Sequence, residues 1–303
     1  MADGARILCA GVAVQDIVMR VERLPAAGSK TQGSDLVITG GGCAANAAVA
    51  AARLGGRVSF AGPLGDAADA TSSRIVADLE TAGIDCRGVV RVPGAVASVS
   101  LILIDATGEK SIATRRGHGL DDGRPRDAAA LVADVDAVLI DNRFPDFALP
   151  VARAARARGV PLVIDADRAT TPDDSLLALG THVIASAEAL AGTTGTRDPA
   201  TGLATLAAHA QGFLAVTGGP RGVWWREGET PRHMAAFPVA AVDTLGAGDV
   251  FHGAFALALA ERRDVVDALR FAAATAALKC TRFGGGAGAP GRAEVETLLR
   301  TQG

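Results

Sequence analysis

The segment Asp243-Thr244-Leu245-Gly246-Ala247-Gly248-Asp249-Val250-Phe251-His252-Gly253-Ala254 runs from a glycine-rich turn straight into an apolar, alanine-rich stretch. Gly246 and Gly248 allow backbone conformations closed to other residues. A helix that opens at Ala247 presents unpaired amides and the positive end of its dipole to whatever sits at residues 246–248, which favours an anion. Asp249 falls in the first turn of that helix. A carboxylate beside an anion site is unfavourable unless it handles a proton. The combination suits phosphoryl transfer, in which the amides hold the moving phosphoryl group and the carboxylate takes the proton of the attacking hydroxyl. The competing reading is that Asp249 only caps the helix, and residue types alone do not separate the two.

Outward from this segment, short continuous apolar runs predict strands at 7–12, 58–61, 137–141, 161–165, 182–185 and 213–217. Helical periodicity predicts helices at 43–54, 72–82, 148–158, 201–209, 247–261, 265–281 and 293–301. Continuous rather than alternating strands are buried on both faces, and their alternation with helices predicts an open parallel sheet with helices on both sides. Residues 14–39 and 95–117 break the rhythm: they alternate apolar and polar residues with no helix between. Asp105-Ala106-Thr107-Gly108 reads as a turn and 109–114 as a returning strand. They predict a small half-exposed β element inserted into one α/β domain that spans 1–303.

The 303 residues carry 30 Lys+Arg against 33 Asp+Glu, a net charge of −3, which argues against a nucleic-acid partner. With 49% apolar and 21% charged residues, general disorder is excluded. Only Lys30, Lys110 and Lys279 are lysines, and tyrosine is absent, a pattern we read as coding bias. No run approaches the ~18 apolar residues that span a bilayer, so no membrane partner is expected. The N-terminus lacks a secretory pattern, and the scattered Cys9, Cys43, Cys86 and Cys280 read as reduced core residues of a cytoplasmic protein.

Two further glycine-rich segments stand out. Thr39-Gly40-Gly41-Gly42-Cys43-Ala44-Ala45-Asn46 leads into a helix of small residues. Its glycines permit close approach of backbone to a ligand, and Asn46 offers donors and an acceptor. The plain alternative is a tight turn with close helix packing. Gly40-x-Gly42-x-x-Ala45 also fits the loose dinucleotide fingerprint, but the next strand ends without the acid that would hold a ribose. Val216-Thr217-Gly218-Gly219-Pro220-Arg221-Gly222 closes a strand where nucleotide phosphates can lie, although many turns look alike. No G-x-x-x-x-G-K-[ST] loop and no protein-kinase signature is present.

Taken together, these motifs resemble the ribokinase-like (PfkB) carbohydrate kinase family, over nearly the whole chain. The resemblance implies a three-layer α/β/α sandwich with a mostly parallel central sheet, and makes the inserted element a β-sheet lid over a sugar site. It implies Asp249 as catalytic base and the amides of Gly246, Ala247 and Gly248 as an anion hole. It implies Asp16, Gly41, Gly42 and Asn46 on sugar hydroxyls, and Thr217, Gly219, Gly222 and Thr244 near ATP. The implied cofactors are ATP with Mg²⁺, and a monovalent cation such as K⁺ beside Asp243. The implied assembly is a homodimer through the lid. One departure concerns the metal: the family's N-x-x-E motif is replaced by Ala185-Ser186-Ala187-Glu188-Ala189, which leaves Glu188 as the metal candidate, with Asp165 and Asp167 as compensating acids or simple caps.

For the substrate, Lys30, Arg143, Arg115 and Arg116 are the basic residues that would meet an anionic group, or else solvated surface charges. The segments 40–55, 249–254 and 277–282 resemble the bacterial sulfofructose kinase branch. That resemblance implies phosphorylation of 6-deoxy-6-sulfofructose at its 1-hydroxyl, with Lys30 and Arg143 toward the sulfonate. Thr114 stands in the returning lid strand where that branch leads us to expect Asn. Kinases of another fructose-like, acidic or phosphorylated sugar, or of a nucleoside, are the enzymatic alternatives. A non-catalytic sugar or nucleotide sensor is the non-enzymatic one.

Overall fold

The computed structural model describes residues 4–302. In chain order the first half holds β1 (Arg6–Ala10), β2 (Val14–Val21), β3 (Gly33–Gly41), α1 (Cys43–Arg53), β4 (Arg57–Leu64), α2 (Ala70–Thr81), β5 (Asp85–Arg91), β6 (Ser98–Ile104), β7 (Lys110–Arg115), α3 (Ala128–Val132), β8 (Ala137–Asp141) and α4 (Pro145–Arg158). The second half holds β9 (Leu162–Ala166), α5 (Ser175–Leu179), β10 (His182–Ser186), α6 (Ala187–Thr194), α7 (Pro199–Ala207), β11 (Phe213–Thr217), β12 (Val223–Glu227), β13 (Thr230–Met234), α8 (Ala247–Ala260), α9 (Val265–Cys280) and α10 (Arg292–Thr301).

Nine strands form one sheet in the order β13-β12-β11-β10-β9-β8-β1-β4-β5. The run from β11 to β5 is parallel, and β12 and β13 add antiparallel strands at one edge. Successive side chains of the central strands enter opposite cores. Ile7, Cys9, Phe60 and Leu139 meet α1, α8 and α9 on one face. Leu8, Ala10, Val138 and Ile140 meet α4, α5 and α7 on the other. Both faces are therefore apolar, as the continuous runs require, and the three-layer α/β/α sandwich is present. No helix among the described residues is long and apolar enough to cross a membrane.

Four strands form a separate sheet in the order β3-β2-β6-β7, drawn from the two alternating stretches. One face packs Val18, Ile102 and Ile104 against Leu245 and Phe283. The other leaves Leu36, Ile38 and Leu101 exposed at 58%, 44% and 55%. The register aligns Thr39, Asp16, Ser100 and Thr114 in one row across all four strands.

The strands β5, β12 and β13 carry no apolar run longer than three residues and are not predicted from the sequence. They lie at or beside sheet edges, where one side of the strand meets solvent and charged residues are tolerated. Pro231 sits in the edge strand β13, where a missing donor costs least. The fourth helix begins three residues earlier than its periodicity predicts, because Pro145 occupies its first position, which suits proline.

Candidate active site

The glycine-rich segments meet where the small sheet faces the carboxyl ends of the parallel strands. Helices α1 and α8 cross closely there: a Cβ on Gly253 would lie 2.2 Å from Ala47 O. The small residues of both helices allow that approach, and it brings their first turns together. Asn46 Nδ2 donates to Asp249 Oδ2 at 2.7 Å. Gly246 caps α8 at φ 73°, a left-handed conformation that glycine adopts without strain.

Asp16 is buried on the inner face of the small sheet, over this junction. A Cβ on Gly41 would lie 2.0 Å from Asp16 Oδ2, so glycine there is what makes room for the carboxylate. Gly42, at φ 95°, turns the chain from β3 into α1. Burial pushes the Asp16 carboxyl up to about 6, opposed by a hydrogen bond from Ser100 and aided by the charge of Asp249. Thr114 Oγ1 lies 3.1 Å from Ser100 Oγ, so Asp16, Ser100 and Thr114 form one polar row.

Beneath Asp249 lies a second acidic layer. Cys43 Sγ and carboxylate oxygens of Asp165 and Asp249 all lie within 4.8 Å of one another. Asp165 is raised to about 6, chiefly by burial, which outweighs the charge of His252. Its Oδ2 lies 3.4 Å from His252 Nδ1 and has no hydrogen-bond partner among the described residues. The His252 ring is fixed by Gly248 O, 2.7 Å from Nδ1, and by Ile184 O, 3.3 Å from Nε2. Asp141 accepts from the amides of Val12 at 2.7 Å, Ala44 at 3.1 Å and Arg143 at 3.0 Å. It thereby ties β1, α1 and β8 together, and burial raises it to about 7 against those hydrogen bonds.

Asp243 is fully buried. Its Oδ1 accepts from Leu245 N at 2.7 Å, and its Oδ2 from Gly284 N at 3.0 Å and Gly285 N at 3.1 Å. The ammonium of Lys279, equally buried, lies 3.1 Å from Asp243 Oδ2 and donates to Asp243 O at 2.8 Å. Thr244 Oγ1 is 3.5 Å from Lys110 Nζ.

The other basic residues lie apart from one another. Lys30 is exposed on the loop between β2 and β3. Arg143 forms an ion pair with Asp167. Arg115 donates to Ala97 O at 2.9 Å, and Arg116 pairs with Asp121 at 2.7 Å.

Thr217 ends β11, its hydroxyl 3.5 Å from Ala185 O, and Gly219 and Gly222 bound the short turn that follows at φ 58° and 90°. Glu188 opens α6 and, with Arg197 and Arg221, lines a cavity of about 550 Å³ beside that turn. A larger cavity of about 730 Å³ opens beside Arg6, Arg57 and Asp85, at the amino ends of β1, β4 and β5. Ligands of open α/β sheets bind at the carboxyl ends, so the smaller cavity is the one on the functional side. The dinucleotide reading of Gly40–Ala45 has no βαβ context, because the loop enters α1 from β3 of the small sheet.

Sequence reasoning missed His252, Ser100 and the role of Lys279. Ser100 had no signal before the strand register was known. Lys279 had one: a lysine that follows the apolar run Ala276-Ala277-Leu278 in the last turn of a buried helix needs a partner.

A parallel sheet whose carboxyl ends gather an acidic helix start, a glycine cradle and a polar strand row defines a phosphotransferase of the ribokinase fold. The description "pfkB family carbohydrate kinase" matches residues 5–292, and the chain belongs to that family. It is 32% identical over 293 residues to a ribokinase of Bacillus subtilis, covering 95% of this chain and 97% of the relative. The structure of a candidate ribokinase from Agrobacterium tumefaciens superposes with a TM-score of 0.94 at 40% identity, covering 99% and 98% of the two chains. An Arabidopsis thaliana ribokinase complexed with ribose and ATP superposes at 0.82 with 27% identity, covering 98% and 99%. The chain is an ATP-dependent carbohydrate kinase.

Proposed function

We propose that this kinase transfers the γ-phosphoryl group of ATP to a primary hydroxyl of a small sugar, with Asp249 as the base. The observation that carries this reading is the 2.7 Å hydrogen bond from Asn46 to Asp249 at the start of α8. Asn46 occupies one carboxylate oxygen and leaves the other to accept the hydroxyl proton. The amides of Gly246, Ala247 and Gly248 face the charge that develops on the transferred group. Asp16, with Gly41, Gly42 and Thr114, takes the remaining sugar hydroxyls. ATP lies along Thr217, Gly219 and Gly222, with Thr244 near its phosphates. The small sheet acts as a lid that excludes water and limits ATP hydrolysis.

Mg²⁺ suits this site. Asp165 Oδ2, buried and without a donor among the described residues, is a hard oxygen of the kind this ion takes, whereas Cys43 Sγ is not. Asp165 would hold it, and it would neutralise charge on phosphates that reach the cavity lined by Glu188. The exposed apolar face carrying Leu36, Ile38 and Leu101 supports a homodimer through the lid. The four unpaired cysteines support work in the cytoplasm.

Ribose is the acceptor that the relatives' names favour. Lys30, exposed and with no carboxylate partner among the described residues, favours a second reading, 6-deoxy-6-sulfofructose phosphorylated at its 1-hydroxyl. Arg143 supports that reading less, since Asp167 already balances its charge. An ADP-release assay across ribose, deoxyribose, fructose, 6-deoxy-6-sulfofructose, fructose 6-phosphate and adenosine tests both. Best turnover on ribose with no effect of Lys30→Ala supports the first. A preference for the sulfonated sugar, with Lys30→Ala raising its KM more than that of fructose, supports the second. Turnover on none of them overturns the reading.

A further inference from the structure

The place expected for a monovalent cation, beside Asp243, does not fit one. The Lys279 ammonium already lies 2.8 Å from Asp243 O and 3.1 Å from Asp243 Oδ2. Both side chains are wholly buried. A free cation at those oxygens would sit against a like charge in a site that water does not reach.

We infer that Lys279 is a built-in cation that takes over the work of a bound monovalent ion, so that turnover requires none. It acts as a positioning residue. Its ammonium holds Asp243, whose carboxylate gathers the amides of Leu245, Gly284 and Gly285. Those contacts fix both loops that flank the anion hole. Gly246 caps α8, and Gly286 lies against Asn46, so closely that a Cβ on it would be 2.2 Å from Asn46 Oδ1. A wholly buried charge in the last turn of α9 is thus tied by one chain of contacts to the amides of 246–248 and to the side chain that holds Asp249. Burial pulls the ammonium below its ordinary range, and Asp243 pulls it back.

The inference rests on the phosphoryl-transfer reading above, and its test has an arm that does not. In that arm, thermal unfolding of the whole protein is compared in KCl and in tetramethylammonium chloride at equal ionic strength. The same midpoint in both salts is expected. A saturable stabilisation by K⁺ alone would overturn the inference even if no sugar were turned over. In the kinetic arm, turnover of the wild-type protein is expected to be equal in the two salts, and activation by K⁺ would overturn the inference. Lys279→Ala empties the position. Its kcat is expected to fall about 100-fold, the scale of losing a preorganised donor, with KM for the sugar little changed. K⁺ or NH₄⁺ is then expected to restore part of kcat and raise the unfolding midpoint of this variant only. A variant that folds but gains nothing from either ion would reduce Lys279 to packing and overturn its positioning role. If Lys279→Ala does not fold, the two wild-type arms decide.

Discussion

The two acids that bound the segment 243–249 are six residues apart and live in opposite conditions. Asp243 is wholly buried, and both its oxygens are spoken for by three backbone amides and the Lys279 ammonium. Asp249 is half-buried and, among the described residues, receives one side-chain hydrogen bond, from Asn46. The difference follows from what each must do. A carboxylate that fixes a loop works best when every lone pair is used. A base must keep one free, so its position has to be secured through neighbours rather than through its own bonds. Order at the reactive end is thus borrowed from the locked end.

The sharpest way to break this contrast is to neutralise each acid in turn. Asp249→Asn keeps shape and the link to Asn46 but removes the base. Turnover in the ADP-release assay is expected to fall by about 10³-fold or more, with the unfolding midpoint nearly unchanged. Near-normal turnover would return Asp249 to the role of a helix cap. Asp243→Ala does the reverse, since it strands a buried ammonium and orphans three amides. We expect a loss of about 3–5 kcal/mol in denaturant unfolding. A loss within the range of ordinary surface substitutions would show that Asp243 is not the locked end.

The contrast between the two acids also marks how far the sequence could be read. Asp249 was visible because a glycine turn running into an apolar helix leaves few uses for an acid in its first turn, and the family resemblance then removed the capping alternative. The central strands were visible because burial on both faces leaves an unbroken apolar run, as in Ala137–Asp141. The edge strands β5, β12 and β13 were not, because their charged and exposed residues erase that run. Lys279 stands out in the sequence only as one of three lysines, which reads as a feature of composition. Its pairing with Asp243 spans 36 residues and exists only once α9 is docked against α8. The polar row through Asp16 and Ser100 was hidden for a similar reason. A shift of one residue in pairing would turn every side chain to the other face, and nothing local fixes that register.

A smaller perturbation tests whether order does travel from one end to the other. Gly286→Ala leaves both acids intact but drives a methyl group to within 2.2 Å of Asn46 Oδ1 and 2.5 Å of its Cγ. Asn46 must shift, and Asp249 loses the donor that fixes it. Turnover is expected to fall about 100-fold, the usual scale for a misplacement of about 1 Å in a reacting group. An unaffected kcat would mean that Asp249 is held by something other than Asn46.

The smallest expected effect concerns the acid that faces Asp249 from the small sheet. Asp16 is raised from 3.8 to about 6, mainly by burial, with the charge of Asp249 adding to it and Ser100 opposing it. The folded protein therefore keeps a proton on Asp16 over a range in which the unfolded chain has lost it. The stabilisation this gives is complete below about pH 3.8 and is lost as pH rises through about 6. Sugar binding runs the other way, because only the ionised carboxylate accepts from two hydroxyls. The value of kcat/KM for the sugar is expected to fall as pH drops below about 6, approaching tenfold per unit where one proton controls it. Asp16→Asn should start lower and lose that limb of the profile. Its unfolding midpoint should also gain on the wild type as pH rises from about 4 to about 6. If both proteins keep the same acid limb, the titrating group lies elsewhere, in Asp165 or Asp141. The carboxylate facing Asp249 would then be a structural acid like Asp243.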